Sequence, residues 1–114
     1  MTTHDKLLVI WSSADREVAL HNVFMYTHNA KKHGWWNEIR LLIWGPSDTL
    51  LIHDKELQEG IQAMIADGIE VLACKACSDR LGATEALEAL GISVFYVGTA
   101  LTEMLKSGWT TLTY

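Results

Sequence analysis

The chain has 114 residues, 49% apolar and 20% charged, the balance of one ordinary globular domain and not of a long disordered segment. Nine Lys and Arg against 14 Asp and Glu give a formal net charge of −5, which disfavours binding to nucleic-acid phosphates, and no basic run points to an anionic membrane surface. No apolar stretch approaches the roughly 18–20 residues that span a bilayer, and the polar start from Met1 to Lys6 does not read as a secretory signal, so a cytoplasmic protein is expected.

Short apolar runs alternate with helical patterns along the chain. Leu7 to Trp11 reads as a buried strand. Ala14 to Lys32 reads as a helix carrying Leu20, Val23, Phe24 and Thr27 on one face, capped from within Ser12-Ser13-Ala14-Asp15. Ile39 to Trp44 is the next strand, closed by the turn residues Gly45-Pro46. Ser47 to Ile52 reads as a short helix. Asp54 then caps a helix with the stripe Leu57, Ile61, Met64 and Ile65, which Gly68 ends. Ile69 to Ala73 is a strand running into Cys74. Ala76 to Leu81 and Thr84 to Leu90 read as short helices, each stopped by a glycine. Ile92 to Val97 is a strand, Thr99 to Lys106 a helix, and Thr110 to Tyr114 a last strand.

The order β-α-β-α-β-α-β-α-β predicts a single α/β domain over residues 1–114, with a mostly parallel sheet covered on both faces. In such open sheets the ligand site lies beyond the carboxyl ends of the strands. The segments predicted there are Trp11–Asp15, Trp44–Asp48, Ala73–Cys77 and Val97–Thr99, and both cysteines of the chain fall in this set.

Cys74 and Cys77 are too few for a secreted disulfide scaffold. Cys74-Lys75-Ala76-Cys77 ends a strand and opens a helix, where exposed N–H groups and the helix dipole favour the thiolate, the nucleophilic form. Lys75 and Arg80 would act in the same sense and Asp79 against it. The plainer reading of a free cysteine is a small core residue. A redox dithiol fits the spacing too, although the motif lacks the aromatic and proline context usual in thioredoxin-like sites. A zinc site would need two more ligands from His4, His21, His28, His33 and His53, and no second ligand pair exists in sequence, so no metal is expected.

Ser12, Ser13, Asp15, Ser47, Asp48, Thr99 and Thr102 are the other polar residues near strand ends, and helix capping is the plainest role for each. No dinucleotide or phosphate-loop glycine motif is present, so no nucleotide cofactor is expected. Trp11 and Trp44 end strands and are candidates for pocket walls, together with Ser12, Ser13, Ser47, Lys75 and Thr99. Trp35-Trp36 and the wide apolar surface of the first helix, which includes Val18 and Met25, suggest contact with another subunit.

From Lys6 to Tyr114 the chain resembles the DsrE/DsrF-like family of small sulfur-relay proteins. The stretches that carry the resemblance are LLVIWSSAD (Leu7–Asp15), LLIWGPS (Leu41–Ser47), GIEVLACKACSDRLG (Gly68–Gly82), ALGISVFYV (Ala89–Val97) and LTEMLKSGWTTL (Leu101–Leu112). The strand-Cys-short-helix-Gly segment is the most specific, and the Leu-Thr-Glu-x-Leu-Lys-x-Gly-Trp ending is typical of a compact branch of the family. The resemblance implies a three-layer α/β/α sandwich of about five strands that assembles as a homo- or hetero-oligomer, trimer or hexamer. It also implies a cysteine at the end of the third strand that carries sulfur as a persulfide between partner proteins. The matching residue is Cys74. Cys77 lies where many relay members have no cysteine, so its role is not inherited.

Two functions follow as expectations. In the first, the chain is a sulfurtransferase or sulfur carrier that takes sulfane sulfur on Cys74 from a donor protein and yields it to an acceptor, with Cys77 able to resolve the persulfide as a disulfide. In the second, it is a non-catalytic oligomeric binding module with a small-ligand pocket at the strand ends.

Overall fold

A computed structural model describes residues 5–114. Five strands, β1 (Lys6–Trp11), β2 (Glu38–Ile43), β3 (Glu70–Cys74), β4 (Ser93–Phe95) and β5 (Thr110–Thr113), form one sheet in the order β4-β3-β2-β1-β5. All neighbouring pairs are parallel. The first helical rod has three parts: α1 (Arg16–Val18), a π-helical stretch over Ala19–Phe24, and α2 (Met25–Lys32). Then come α3 (Ser47–Ile52), α4 (Lys55–Ala66), α5 (Lys75–Arg80), α6 (Thr84–Ala89) and α7 (Gly98–Lys106).

The sheet order fixes the layers. From β1 to β4 the chain steps across the sheet in one direction, so right-handed crossovers put their helices on one face. From β4 it returns to the far side of β1, and the same handedness puts α7 on the opposite face. Burial follows this division. On the first face Leu7, Val9, Trp11, Leu41, Ile43, Val71 and Ala73 pack with Val23, Phe24, Leu51, Leu57, Ile61, Met64 and Leu87. On the second, Leu8, Ile10, Leu42, Leu72 and Cys74 meet Val97 and Met104. Strands covered on both faces are apolar throughout, which is why β1 and β3 show no polar alternation.

Both edge strands are short, and β5 is mostly threonine, which limits further pairing. β4 holds three residues where the sequence predicts Ile92 to Val97. Ile92 is taken by a turn, its N–H donating to Leu87 O, and Val97 O already accepts from Leu101 N in α7. β5 exposes Thr111 on the second face and Thr110 and Thr113 beside it.

Asp15 caps the first rod, its Oδ1 accepting from Glu17 N and Val18 N, as the sequence leads one to expect. The π stretch has no sequence signal. Within it Phe24 meets Trp11 edge to face, with ring centroids 5.3 Å apart. Gly60 of α4 lies against the same ring: a Cβ there would come within 2.8 Å of it. Trp35 is half exposed and stacks on His33, and Trp36 Nε1 donates to Tyr26 Oη at 3.0 Å. No helix among the described residues is long and apolar enough to cross a membrane.

Candidate functional site: a thiol pair at the sheet's carboxyl edge

Helices after β1, β2 and β3 run along the first face, whereas α7 after β4 runs along the second. The direction of winding therefore switches between β3 and β4. Such switch points are where open α/β sheets bind ligands, outside the carboxyl ends of the strands. Cys74 is the last residue of β3, paired with Phe95 of β4 across this point.

Cys74 keeps extended backbone angles (φ −77°, ψ 117°) and forms the N-cap of α5. The residue is 9% exposed and packs in the second-face cluster. Three residues on along α5, Cys77 returns to the same side of the helix, where side chains at this spacing meet. Both thiols are free. Cys77 is the more accessible of the pair.

Polar contacts hold α5 in place. Ser78 Oγ donates to Lys75 O at 3.2 Å and pairs with Thr84 Oγ1 at 2.7 Å, and Thr84 Oγ1 donates to Asp79. Lys75 Nζ bonds Asp79 Oδ2 at 3.0 Å and lies 5.9 Å from the Tyr96 ring centroid. The charge of Lys75 is thus committed to Asp79 and does not serve the thiols. This pairing raises the Lys75 pKa, and Thr84 and Lys75 together lower that of Asp79.

Burial pushes the Cys77 pKa up first; the Cys74 thiol, the Cys74 charge and the Asp48 charge add to the rise. Trp44 opposes it by a hydrogen bond to the sulfur, for which its indole N–H is the donor. Asp48, on the first turn of α3, is fully buried, and neither carboxylate oxygen has a hydrogen-bond partner among the described residues. Desolvation raises its pKa to about 6.

Above these groups opens a cavity of about 390 Å³, lined by Ala14, Gly45, Pro46, Thr49, Cys77, Arg80 and Leu81. It collects the loops after β1, β2 and β3. The wall is almost wholly apolar; of its residues Thr49, Cys77 and Arg80 carry polar groups, and the Arg80 guanidinium takes part in no ion pair within 4.0 Å among the described residues.

The residues singled out from sequence divide into three groups. Cys77 lines the cavity, with Cys74 behind it and Trp44, 39% exposed, beside it. Trp11 and Ser47 lie beneath: Trp11 is fully buried in the first-face core, and Ser47 Oγ donates to Trp11 O at 2.6 Å. Ser12 Oγ donates to Tyr114 O at 3.1 Å and ties the loop after β1 to the end of the chain, and Ser13 Oγ accepts from Asp15 N at 3.1 Å in a local turn. Lys75 is paired with Asp79, and Thr99 is exposed on α7.

Sequence reasoning treats Asp48 as a helix cap, but it caps nothing and is a buried, unpaired acid. The cavity-lining part of Arg80 and Leu81 is also missed, because it depends on how α5 swings over the α3 loop. Among the described residues no group of three or more His, Cys, Asp or Glu stands ready to hold a metal ion. His21 pairs with Glu17, His28 with Asp67 at 2.5 Å, and His53 with Thr49 O. His4 lies outside the described residues.

An all-parallel sheet with a cysteine at its winding switch defines the class: a small α/β thiol protein. The family model of the DsrE/DsrF-like family matches residues 27–114, and the chain belongs to that family. A conserved protein of unknown function, BT1422 from Bacteroides thetaiotaomicron, is 35% identical and superposes with a TM-score of 0.93 over 96% of this chain and 95% of that one. The ychN protein from E. coli shares the fold at 15% identity, with a TM-score of 0.71 over 97% of this chain and 99% of that one. No curated protein matches the chain.

Proposed function

We propose that the protein is a sulfurtransferase or sulfur carrier that holds sulfane sulfur as a persulfide on Cys74. Family membership suggests a role of the sulfur-relay type. The observation that carries this reading is the pair of free thiols at the winding switch, Cys74 as the N-cap of α5 and Cys77 one turn on in a cavity wall. The thiolate is the form of cysteine that attacks sulfur. Loading brings the outer sulfur of R–S–SH to Cys74 by thiolate displacement at that sulfur. The S–S bond of the donor breaks, RS⁻ leaves and takes a proton, and Cys74–S–SH remains. Unloading is the same displacement by an acceptor thiolate, so no net oxidation occurs.

The free thiols suit a reducing compartment such as the cytoplasm. Exposed Tyr96, Leu105 and Leu81 suit a homo-oligomer, a trimer or hexamer, that also meets donor and acceptor proteins. The cavity favours a second reading, a binding module for a small ligand in which the cysteines are incidental. Mass measurement after incubation with a sulfane-sulfur donor separates the two. One added sulfur, mapped to Cys74 and released by reductant, supports the carrier; free thiols after treatment with several donors favour the module.

A further inference from the structure

The two thiols are not equivalent toward the outside. Cys77 forms part of the cavity wall, whereas Cys74 is 9% exposed and packs behind it among Leu8, Ile10, Leu42 and Leu72. A donor seated in the cavity meets Cys77 first. Beneath the same wall lies Asp48, fully buried with both oxygens unpartnered, its charge acting on Cys77. An uncompensated buried carboxylate is costly and is not a packing feature. Arg80 is the one basic residue among those lining the cavity.

We infer that Cys77 is the thiol through which sulfur enters and leaves, that Cys74 is the thiol that stores it, and that the cavity takes a small organic persulfide with an anionic tail facing Arg80. This rests on the carrier reading and adds a route and a donor class to it. In the first step the Cys77 sulfur, its proton lost, attacks the outer sulfur of R–S–SH. RS⁻ departs with that proton as RSH, leaving Cys77–S–SH. In the second, the Cys74 thiolate attacks the outer sulfur, the Cys77–S bond to it breaks, and Cys77 regains a proton. Each step exchanges one S–S bond for another, and no oxidant is consumed. The spacing from the N-cap of α5 to the third residue after it keeps both cysteines on one side of the helix, within reach for the second step.

The test uses glutathione persulfide as the probe, with intact-mass and peptide-level mass spectrometry of the full chain. In wild type, sulfur reaches Cys74. In Cys74→Ser it stays on Cys77. In Cys77→Ser, loading of Cys74 falls at least about tenfold, because the intramolecular handover is lost. In Arg80→Gln, loading slows severalfold while alkylation of Cys77 by neutral iodoacetamide is unchanged, which shows that the thiol itself is intact. Loading of Cys74 in Cys77→Ser at the wild-type rate overturns the route through Cys77 and leaves the carrier reading standing. Loading of Arg80→Gln at the wild-type rate overturns the anionic-donor assignment. Absence of sulfur from every variant and from wild type overturns the carrier reading itself.

Discussion

Asp48 and Cys77 stand on the first turns of two different helices, α3 and α5, yet the buried carboxylate of one acts on the thiol of the other. They meet because the loops after β2 and β3, adjacent parallel strands, converge at the carboxyl edge of the sheet. The acid is fully buried and unpartnered, so its charge is poorly screened and the thiol feels it.

Removing that charge makes Cys77 easier to ionise. Burial and Cys74 weigh more heavily on the thiol than Asp48 does, so the gain is modest. Asp48→Asn is expected to speed alkylation of Cys77 by iodoacetamide at pH 8 by about two- to threefold. An unchanged or slower rate would show that the carboxylate does not reach the thiol.

Asp48 also makes stability depend on pH. Its pKa is raised to about 6 in the folded protein, above the ordinary carboxylate value, so the folded state binds this proton more tightly than the unfolded one. The stability this contributes is fully present below about pH 4 and is lost as pH rises through 6. Asp48→Asn stays neutral throughout. Its advantage over wild type should be small at pH 4 and grow to about 3 kcal/mol by pH 7. Paired denaturant titrations at the two pH values measure it; a constant difference contradicts the assignment.

The Arg16–Asp54 pair has the opposite sign. Arg16 Nε donates to Asp54 Oδ2 at 2.6 Å, and Asp54 Oδ1 accepts from Leu57 N at 3.1 Å as the N-cap of α4. The Arg16 guanidinium, then the Leu57 N–H, hold the Asp54 carboxyl below its usual range. The stability gained is present above the unfolded carboxylate value and lost as pH falls through the folded one. Asp54→Ala should lower Tm at pH 7, and the deficit should shrink under acid; a deficit that grows on acidification refutes the pair.

Gly60→Ala sets helix propensity against packing. In an open helix the change would stabilise by nearly 1 kcal/mol. Here the new Cβ would come within 2.8 Å of the Phe24 ring, which Trp11 holds edge-on from the other side. A net loss of about 1–2 kcal/mol is expected in urea unfolding. A gain would mean that the Phe24 ring yields freely.

Much of this architecture is legible in the chain itself. Apolar runs such as Leu7 to Trp11 and Ile69 to Ala73, alternating with capped helices, imply a parallel sheet, and that in turn places Cys74 at its carboxyl edge. Ile92 and Val97 are apolar enough to read as strand, but neighbouring helices claim their hydrogen bonds. Trp11 is read as a pocket wall because it ends a strand, and the alternation of faces buries it against Phe24 instead. Asp48 carries no sequence mark of its burial, since an acid in a first helical turn is usually a solvated cap. Its environment exists only once α3 is packed beside α5.

The account turns on Cys74 as the residue that keeps sulfur. Wild type, Cys74→Ser and Cys77→Ser should each be exposed to a sulfane-sulfur donor, the excess removed, and the intact mass followed over time. The account predicts one reductant-labile sulfur retained by wild type on Cys74, whereas in Cys74→Ser any load sits on Cys77 and none at the substituted position. Sulfur retained by wild type solely on Cys77, or no sulfur at all, would contradict it.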